Sequence, residues 1–247
     1  MFTPEERARL RDALVAVARA DPRITAAALT GSGAAWSEDR WSDIDLALSV
    51  AGDADRVRVI ADWTDRVYRE DGAIHHWDLY LGATLFRVFL LANTLQVDLA
   101  FWPAAEFGAY GPNFRLLFGE ANERPARTPP TAEELIGMAW LYALHARSSI
   151  ERGRAWQAEY MVSGMRDQVL ALACLRNGLP AVEGRGIDRL PPEATAAVAE
   201  GLVRSLDIAE LRRAFSVVTE ALIVEVQQAD AGLADRLTRP LRELSGE

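Results

Sequence analysis

Between Ile24 and Val50 the chain places two apolar, strand-like runs around a polar turn, and the second run carries carboxylates at Asp43 and Asp45. Side chains alternate faces along a strand, so both carboxylates project to one side while Ile44, Leu46 and Leu48 project to the other. A sheet containing this strand must be covered by core on one face and leave the two aspartates on the opposite one. Two like charges held close together on a rigid strand repel unless a cation lies between them, and hard oxygen ligands suit Mg²⁺. A lone Asp-x-Asp equally fits a solvated strand edge or a helix cap, but three features favour the cation. Gly31-Ser32 directly follows the first apolar run, where a glycine lets backbone N–H groups approach phosphate and the serine hydroxyl can add a bond. Asp98 lies in LQVDLAF, where Val97, Leu99 and Phe101 point one way and Gln96 and Asp98 the other; an aspartate in an apolar strand should face a cleft or a cation. The order itself is the third: strand, Gly-Ser, ten residues, Asp-x-Asp, then a distant strand aspartate.

The surrounding pattern predicts an α+β chain. Residues 4 to 20 read as an amphipathic helix through Leu10, Leu14, Val17 and Ala18, ended by Asp21-Pro22. A helix follows from Asp53 or Ala54 to Arg69, with Val57, Ile60, Trp63 and Val67 on one face. Strands are expected at Ile24 to Thr30, Asp43 to Val50, Ile74 to Leu81, Leu85 to Ala92 and Leu95 to Trp102, the last two forming an antiparallel hairpin about Asn93-Thr94. The N-terminal domain, residues 1 to 120, is thus a mixed five-stranded sheet with flanking helices. Residues 121 to 130 (ANERPARTPP) read as a linker. The capping box Thr131-x-x-Glu134 opens an all-α bundle over residues 131 to 247, with four or five helices broken near Gly153, Gly178 to Pro192 and Leu206.

Charge narrows the partners. A net charge of −9 over 247 residues argues against a large nucleic acid and suits a small, cationic acceptor. The 27 basic residues are all arginine, so any charged side chain that meets phosphate is a permanently ionised fork. The first ten residues lack a signal-peptide pattern and no run approaches the ~18 apolar residues of a membrane span, so a cytoplasmic location and no membrane partner are expected. Cys174, alone, reads as a small core residue.

Taken together, Gly31, Ser32, Asp43, Asp45 and Asp98 resemble the signature of the nucleotidyltransferase superfamily typified by DNA polymerase β, and in particular its small bacterial aminoglycoside- and lincosamide-modifying members. The segment FGAYGPNFRLLFG is similar to the end of that catalytic domain. The resemblance covers about the first 120 residues; the helical half is similar only in general character. It implies that Asp43 and Asp45 hold Mg²⁺ against ATP or another nucleoside triphosphate. Gly31 and Ser32 would cradle the β- and γ-phosphates, and Asp98 would bind metal, act as general base, or both. Many members carry an arginine a few residues after Gly-Ser; Ala34, Ala35 and Trp36 stand here, and Arg40 is the substitute on offer. The acceptor would be a hydroxylated small molecule, an aminoglycoside, a lincosamide or something unrelated to antibiotics, bound between the two halves of an expected homodimer's protomer. A toxin–antitoxin-type enzyme modifying protein or RNA, or a module that binds nucleotide without catalysis, are the alternatives. The Arg-(four to six)-His motif of the companion ribonuclease is missing before His145.

Glu159, Ser163 and Arg166 share one helix face, one turn after Trp156, and are either a cleft-facing stripe with Glu159 as base or a solvated face. His75, His76 and His145 read as structural or incidental, and without a cysteine pair or clustered histidines a zinc site is not expected. No nucleophile-elbow motif supports a serine hydrolase. The seven tryptophans read mostly as core, with Trp36, Trp41 and Trp156 near the expected site.

Overall fold

The computed structural model describes residues 1–125 and 128–246, and in the helix Asp53–Glu70 it leaves the side chains of Asp53 and Ala54 undescribed. Two positions of the expected linker, Ala126 and Arg127, and the last residue of the expected bundle, Glu247, lie outside the described residues. The chain forms two compact units, Met1–Arg127 and Thr128–Glu247.

The first unit runs α1 (Pro4–Ala20), β1 (Ile24–Thr30), a single-turn α2 (Gly31–Ala34), β2 (Ile44–Val50), α3 (Asp53–Glu70), β3 (Ala73–Leu81), β4 (Thr84–Leu91), β5 (Gln96–Pro103) and β6 (Phe114–Phe118). The strands form one sheet in the order β3-β4-β5-β2-β1-β6. β2 and β5 are parallel, and the other neighbours are antiparallel. The sheet has six strands rather than five. Phe114–Phe118 escapes a sequence reading because it is short, lies behind Gly111-Pro112-Asn113, and alternates little: as an edge strand it is half-buried nearly throughout.

Local chemistry starts α1. Thr3 and Glu6 form a reciprocal capping box (Glu6 N to Thr3 Oγ1 3.2 Å, Thr3 N to Glu6 Oε2 2.8 Å) with Pro4 in the first turn. α1 and α3 cover one face of the sheet, where Leu14, Ala18, Val59, Trp63 and Val67 pack with Ile44, Leu46, Leu48, Val97, Leu99 and Phe101. Val57 is 72% exposed; the buried line of α3 runs through Val59, Trp63 and Val67, spaced at four residues. The β4–β5 hairpin closes on Asn93, whose Oδ1 accepts from Leu95 N at 3.1 Å. Residues 122 to 124 are hydrogen-bonded within the first unit: Asn122 N donates to Phe107 O at 2.8 Å, and Arg124 reaches Glu106 O. Only Trp63 and Trp102 among the seven tryptophans are core residues; Trp36, Trp41, Trp77, Trp140 and Trp156 are exposed, so the expectation of a mostly buried set fails. The exposed ones sit in loops, on an edge strand or on outward helix faces, where residue type does not decide burial.

The second unit holds α4 (Ala132–Glu151), α5 (Ala155–Arg176), α6 (Pro192–Glu200), α7 (Ile208–Ala229) and α8 (Ala231–Ser245), with no strand among the described residues. The capping box of Thr131 and Glu134 is formed. Ala139, Ala143 and Ala146 on α4 meet Ala158, Val162 and Met165 on α5. The small side chains bring these helices close, and a Cβ on Gly164 would fall 2.8 Å from the Tyr142 ring. Among the described residues no helix is long and apolar enough to cross a membrane.

Glu225 is 7% exposed near the C-terminal end of α7, and Arg176 at the end of α5 donates to it from Nε and Nη2 (3.1 and 2.8 Å). Removing one partner of such a pair leaves a charge unpaired, whereas replacing both with apolar groups of similar size does not. Arg176→Met should therefore lower unfolding free energy by about 2 kcal/mol, discounted for the arginine's exposure, and Arg176→Met/Glu225→Met should regain most of the loss in denaturant titrations. Equal losses in the two variants would sink the account.

Candidate active site

The helix-covered face of the sheet uses the even-numbered residues of β2 and the odd-numbered residues of β5, leaving Asp45, Ala47, Asp98 and Ala100 on the other face. Parallel pairing places Asp45 directly beside Asp98, and Asp43 stands just before β2. One oxygen from each of Asp43, Asp45 and Asp98 lies within 4.8 Å of the others, and all three residues are half-buried. The described residues offer this one group of three or more possible metal ligands. The donors are all carboxylate oxygens, and their span suits a hard divalent ion with ligands at about 2.1–2.5 Å. The three carboxylates can therefore share one ion.

The site's electrostatics follow from burial. Gln96 Nε2 donates to Asp98 Oδ1 at 3.0 Å and to Asp43 Oδ2 at 3.3 Å, tying the two acids together. Burial pushes the Asp98 carboxyl up to about 6, with the Gln96 hydrogen bond opposing the rise and the charge of Asp43 adding to it. The native state thus keeps a proton that the unfolded chain, with an aspartate pKa of about 4, has already lost. Stability on this account is full below about pH 4 and falls as the pH rises through about 6.

Gly31 is required by two separate facts. Its φ is +58°, and a Cβ there would lie 2.2 Å from Asp45 Oδ2. The Gly-Ser turn is thus pressed against the second aspartate, which joins the two halves of the sequence motif in space. Ser32 follows in α2, and its carbonyl accepts from Ser37 N at 3.2 Å.

The loop from Ala35 to Ser42 is held from below by α1. Arg7 is 4% exposed and donates to the Asp39 and Ser42 carbonyls, and its Nε lies 3.6 Å from Glu38. Arg11 meets the other Glu38 oxygen at 2.7 Å. Asp39 accepts from Trp41 N at 2.8 Å and from Ser42 Oγ at 3.1 Å; the backbone bond from Trp41 is the main reason its carboxyl lies below the usual range. The sequence reading missed Arg7. Its signal was a charge on the apolar stripe of α1, one turn before Leu10 and seven residues before the buried Leu14.

Arg40 is exposed, with its guanidinium 4.3 Å from the Trp41 ring centre. A different arginine reaches the Gly-Ser turn. Arg115 of β6 pairs across from Leu29, donates to Gly33 O at 3.0 Å and lies 3.7 Å over the Trp36 ring. No sequence spacing could indicate it, because it arrives through the sixth strand. Glu159 belongs to the second unit, where it accepts from Ser163 Oγ at 2.6 Å; Arg166 donates to that hydroxyl at 3.3 Å and to Asp167 at 2.8 Å. His76 lies on the helix-covered face against Tyr68 and Phe89, and His75 on the open one.

Two outcomes test this geometry. Gly31→Ala should abolish binding of Mn²⁺, read by calorimetry, while Gly33→Ala, whose Cβ meets nothing closer than 3.7 Å, should keep it. Retained binding in Gly31→Ala would contradict the close approach to Asp45. Asp98→Asn should raise unfolding free energy by about 1–2 kcal/mol at pH 7 in the absence of divalent ions, and leave it unchanged at pH 4. A gain of equal size at both pH values would point to packing instead of charge.

No family model matches the chain, and no curated protein matches it. The chain is similar in structure to an aminoglycoside 6-adenyltransferase from Bacillus subtilis, at 13% sequence identity and a TM-score of 0.42, over 98% of this chain and 99% of that one. At so distant a likeness the chemistry rests on the residues of this chain alone.

Proposed function

We propose that the protein is a metal-dependent nucleotidyltransferase that moves a nucleoside monophosphate, AMP from ATP in the first instance, onto a hydroxyl of a small acceptor and releases pyrophosphate. The observation that carries this reading is the convergence of Asp43, Asp45 and Asp98 within 4.8 Å on the open face, with Gly31 packed against Asp45. When bound, Mg²⁺ would neutralise charge on the triphosphate and on the departing pyrophosphate. Asp43 and Asp45 hold the ion. Gly31 and Ser32 receive the β- and γ-phosphates, and Arg115, which donates to Gly33 O, is an arginine fork held at the same turn. Asp98, beside Asp45 in register, takes the proton from the acceptor hydroxyl. The acceptor oxygen then bonds to the α-phosphorus as the bond to the bridging oxygen breaks, and pyrophosphate leaves with that electron pair. The proton-transfer role is given to Asp98 and not to Glu159 because Asp98 stands beside Asp45 in the sheet register, whereas Glu159 belongs to the other unit.

Calorimetric titration with ATP should give binding that requires Mg²⁺ in the wild type and is lost in Asp43→Asn/Asp45→Asn. Binding that survives in the double variant, or that ignores Mg²⁺, would remove the two aspartates from the triphosphate site.

A further inference from the structure

The open face of the sheet continues beyond the carboxylates. Register across four strands aligns Asp45 of β2, Asp98 of β5, Val88 of β4 and Trp77 of β3 in one row. Strands lie about 4.8 Å apart, so the backbone of Trp77 is roughly 10 Å from that of Asp98. Beside this row on the same face, Leu79 pairs with Phe86 and His75 with Leu90. Trp77 is 65% exposed, Leu79 51% and Leu90 46%.

Elsewhere the same face is closed. Ala26, Ala28, Ala47, Ala100 and Trp102 are packed under Phe107, with Tyr110 and Phe114 against them. The covering segment stops short of the Trp77 row, so uncovered apolar surface begins where the carboxylates stand. The strip also carries no acid of its own. The one aspartate of β3, Asp78, lies on the opposite face, bound by Arg87 at 2.7 and 2.6 Å, and Arg87 also donates to Thr64 of α3. An edge strand usually protects itself with charge, and a contiguous apolar patch left open beside polar chemistry marks a binding surface.

We infer that Trp77, Leu79, Val88 and Leu90 form the seat of the acceptor, and that the acceptor is a hydroxylated compound with a flat, uncharged apolar face, not a polycation. The inference rests on the nucleotidyltransferase reading and names its substrate class. With a hydroxyl at Asp98, the body of the acceptor extends along the row over Val88 onto the Trp77 indole, a distance of roughly 10 Å that a sugar joined to a bicyclic ring covers. A polycationic amino sugar would need carboxylates along that path to replace the water around each ammonium group, and the strip supplies none.

The test titrates 1-naphthyl glucoside and kanamycin into the full-length protein loaded with Mg²⁺ and a non-hydrolysable ATP analogue. It compares wild type with Trp77→Ser and with Trp140→Ser, an exposed tryptophan of the other unit. The expected result is binding of the naphthyl glucoside, weakened at least tenfold in Trp77→Ser and unchanged in Trp140→Ser, with kanamycin bound more weakly. The analogue is titrated separately. If it fails to bind, the nucleotidyltransferase reading falls and the inference falls with it. If it binds while the naphthyl glucoside does not bind, binds Trp77→Ser as well as wild type, or is outcompeted by kanamycin, only the acceptor assignment is overturned. A wild type that sediments as a dimer and dissociates in Trp77→Ser would assign the strip to a second copy of the chain, and also overturns it.

Discussion

Mutual repulsion among three carboxylates is the constraint around which the first unit is built. Asp45 and Asp98 are neighbours in register on the two parallel strands of the sheet, and Asp43 stands one residue before its strand. A rigid sheet prevents the charges from relaxing apart, and partial burial prevents water from screening them. Burial has the larger effect on Asp98: it raises the carboxyl to about 6, and the charge of Asp43 adds to the rise. Such an arrangement is unfavourable in isolation and would become favourable around a divalent cation, as the proposed function requires.

The remainder of the first unit keeps those charges in place. α1 and α3 bury one face of β2 and β5, which fixes the register that makes Asp45 and Asp98 adjacent. α1 also reaches under the loop between Gly-Ser and the aspartates: Arg7 ties the Asp39 and Ser42 carbonyls, and Glu38 lies between Arg7 and Arg11. A buried guanidinium with several acceptors fixes the loop between Gly31 and Asp43, and on the proposed reading it keeps both within reach of one ion. The edge strand β6 adds Arg115 to the same turn. In the second unit, by contrast, the polar line from Glu159 to Asp167 is satisfied along its own helix, and an alanine-rich core accounts for the close packing of α4 and α5.

The open face divides into a packed half, roofed by Phe107 and its aromatic neighbours, and an uncovered half that runs from Asp98 to Trp77. Hydrophobic burial stabilises the first, whereas leaving the second bare forgoes that stabilisation. The division falls at the carboxylates, which on the proposed reading gives an acceptor access to one side of the reacting phosphorus.

By itself the sequence determined what depends on local spacing. The alternation in Asp43-Ile44-Asp45-Leu46 sets which carboxylates share a face, and the Thr131–Glu134 box sets where the helical unit's first helix begins. Gly31 was legible as a turn residue, and the strands other than β6 were legible from their apolar runs. Tertiary structure decided whatever depends on strand pairing between distant segments. It placed β2 parallel to β5, so that Asp45 meets Asp98 across a separation of 53 residues in sequence. It brought Arg115 to Gly33 through a short edge strand, turned Arg7 inward, and left most tryptophans exposed. The physical reason is that periodicity tells each side chain which face of its own element it occupies. Only the order of the strands determines which faces are covered and which side chains from remote parts of the chain meet there.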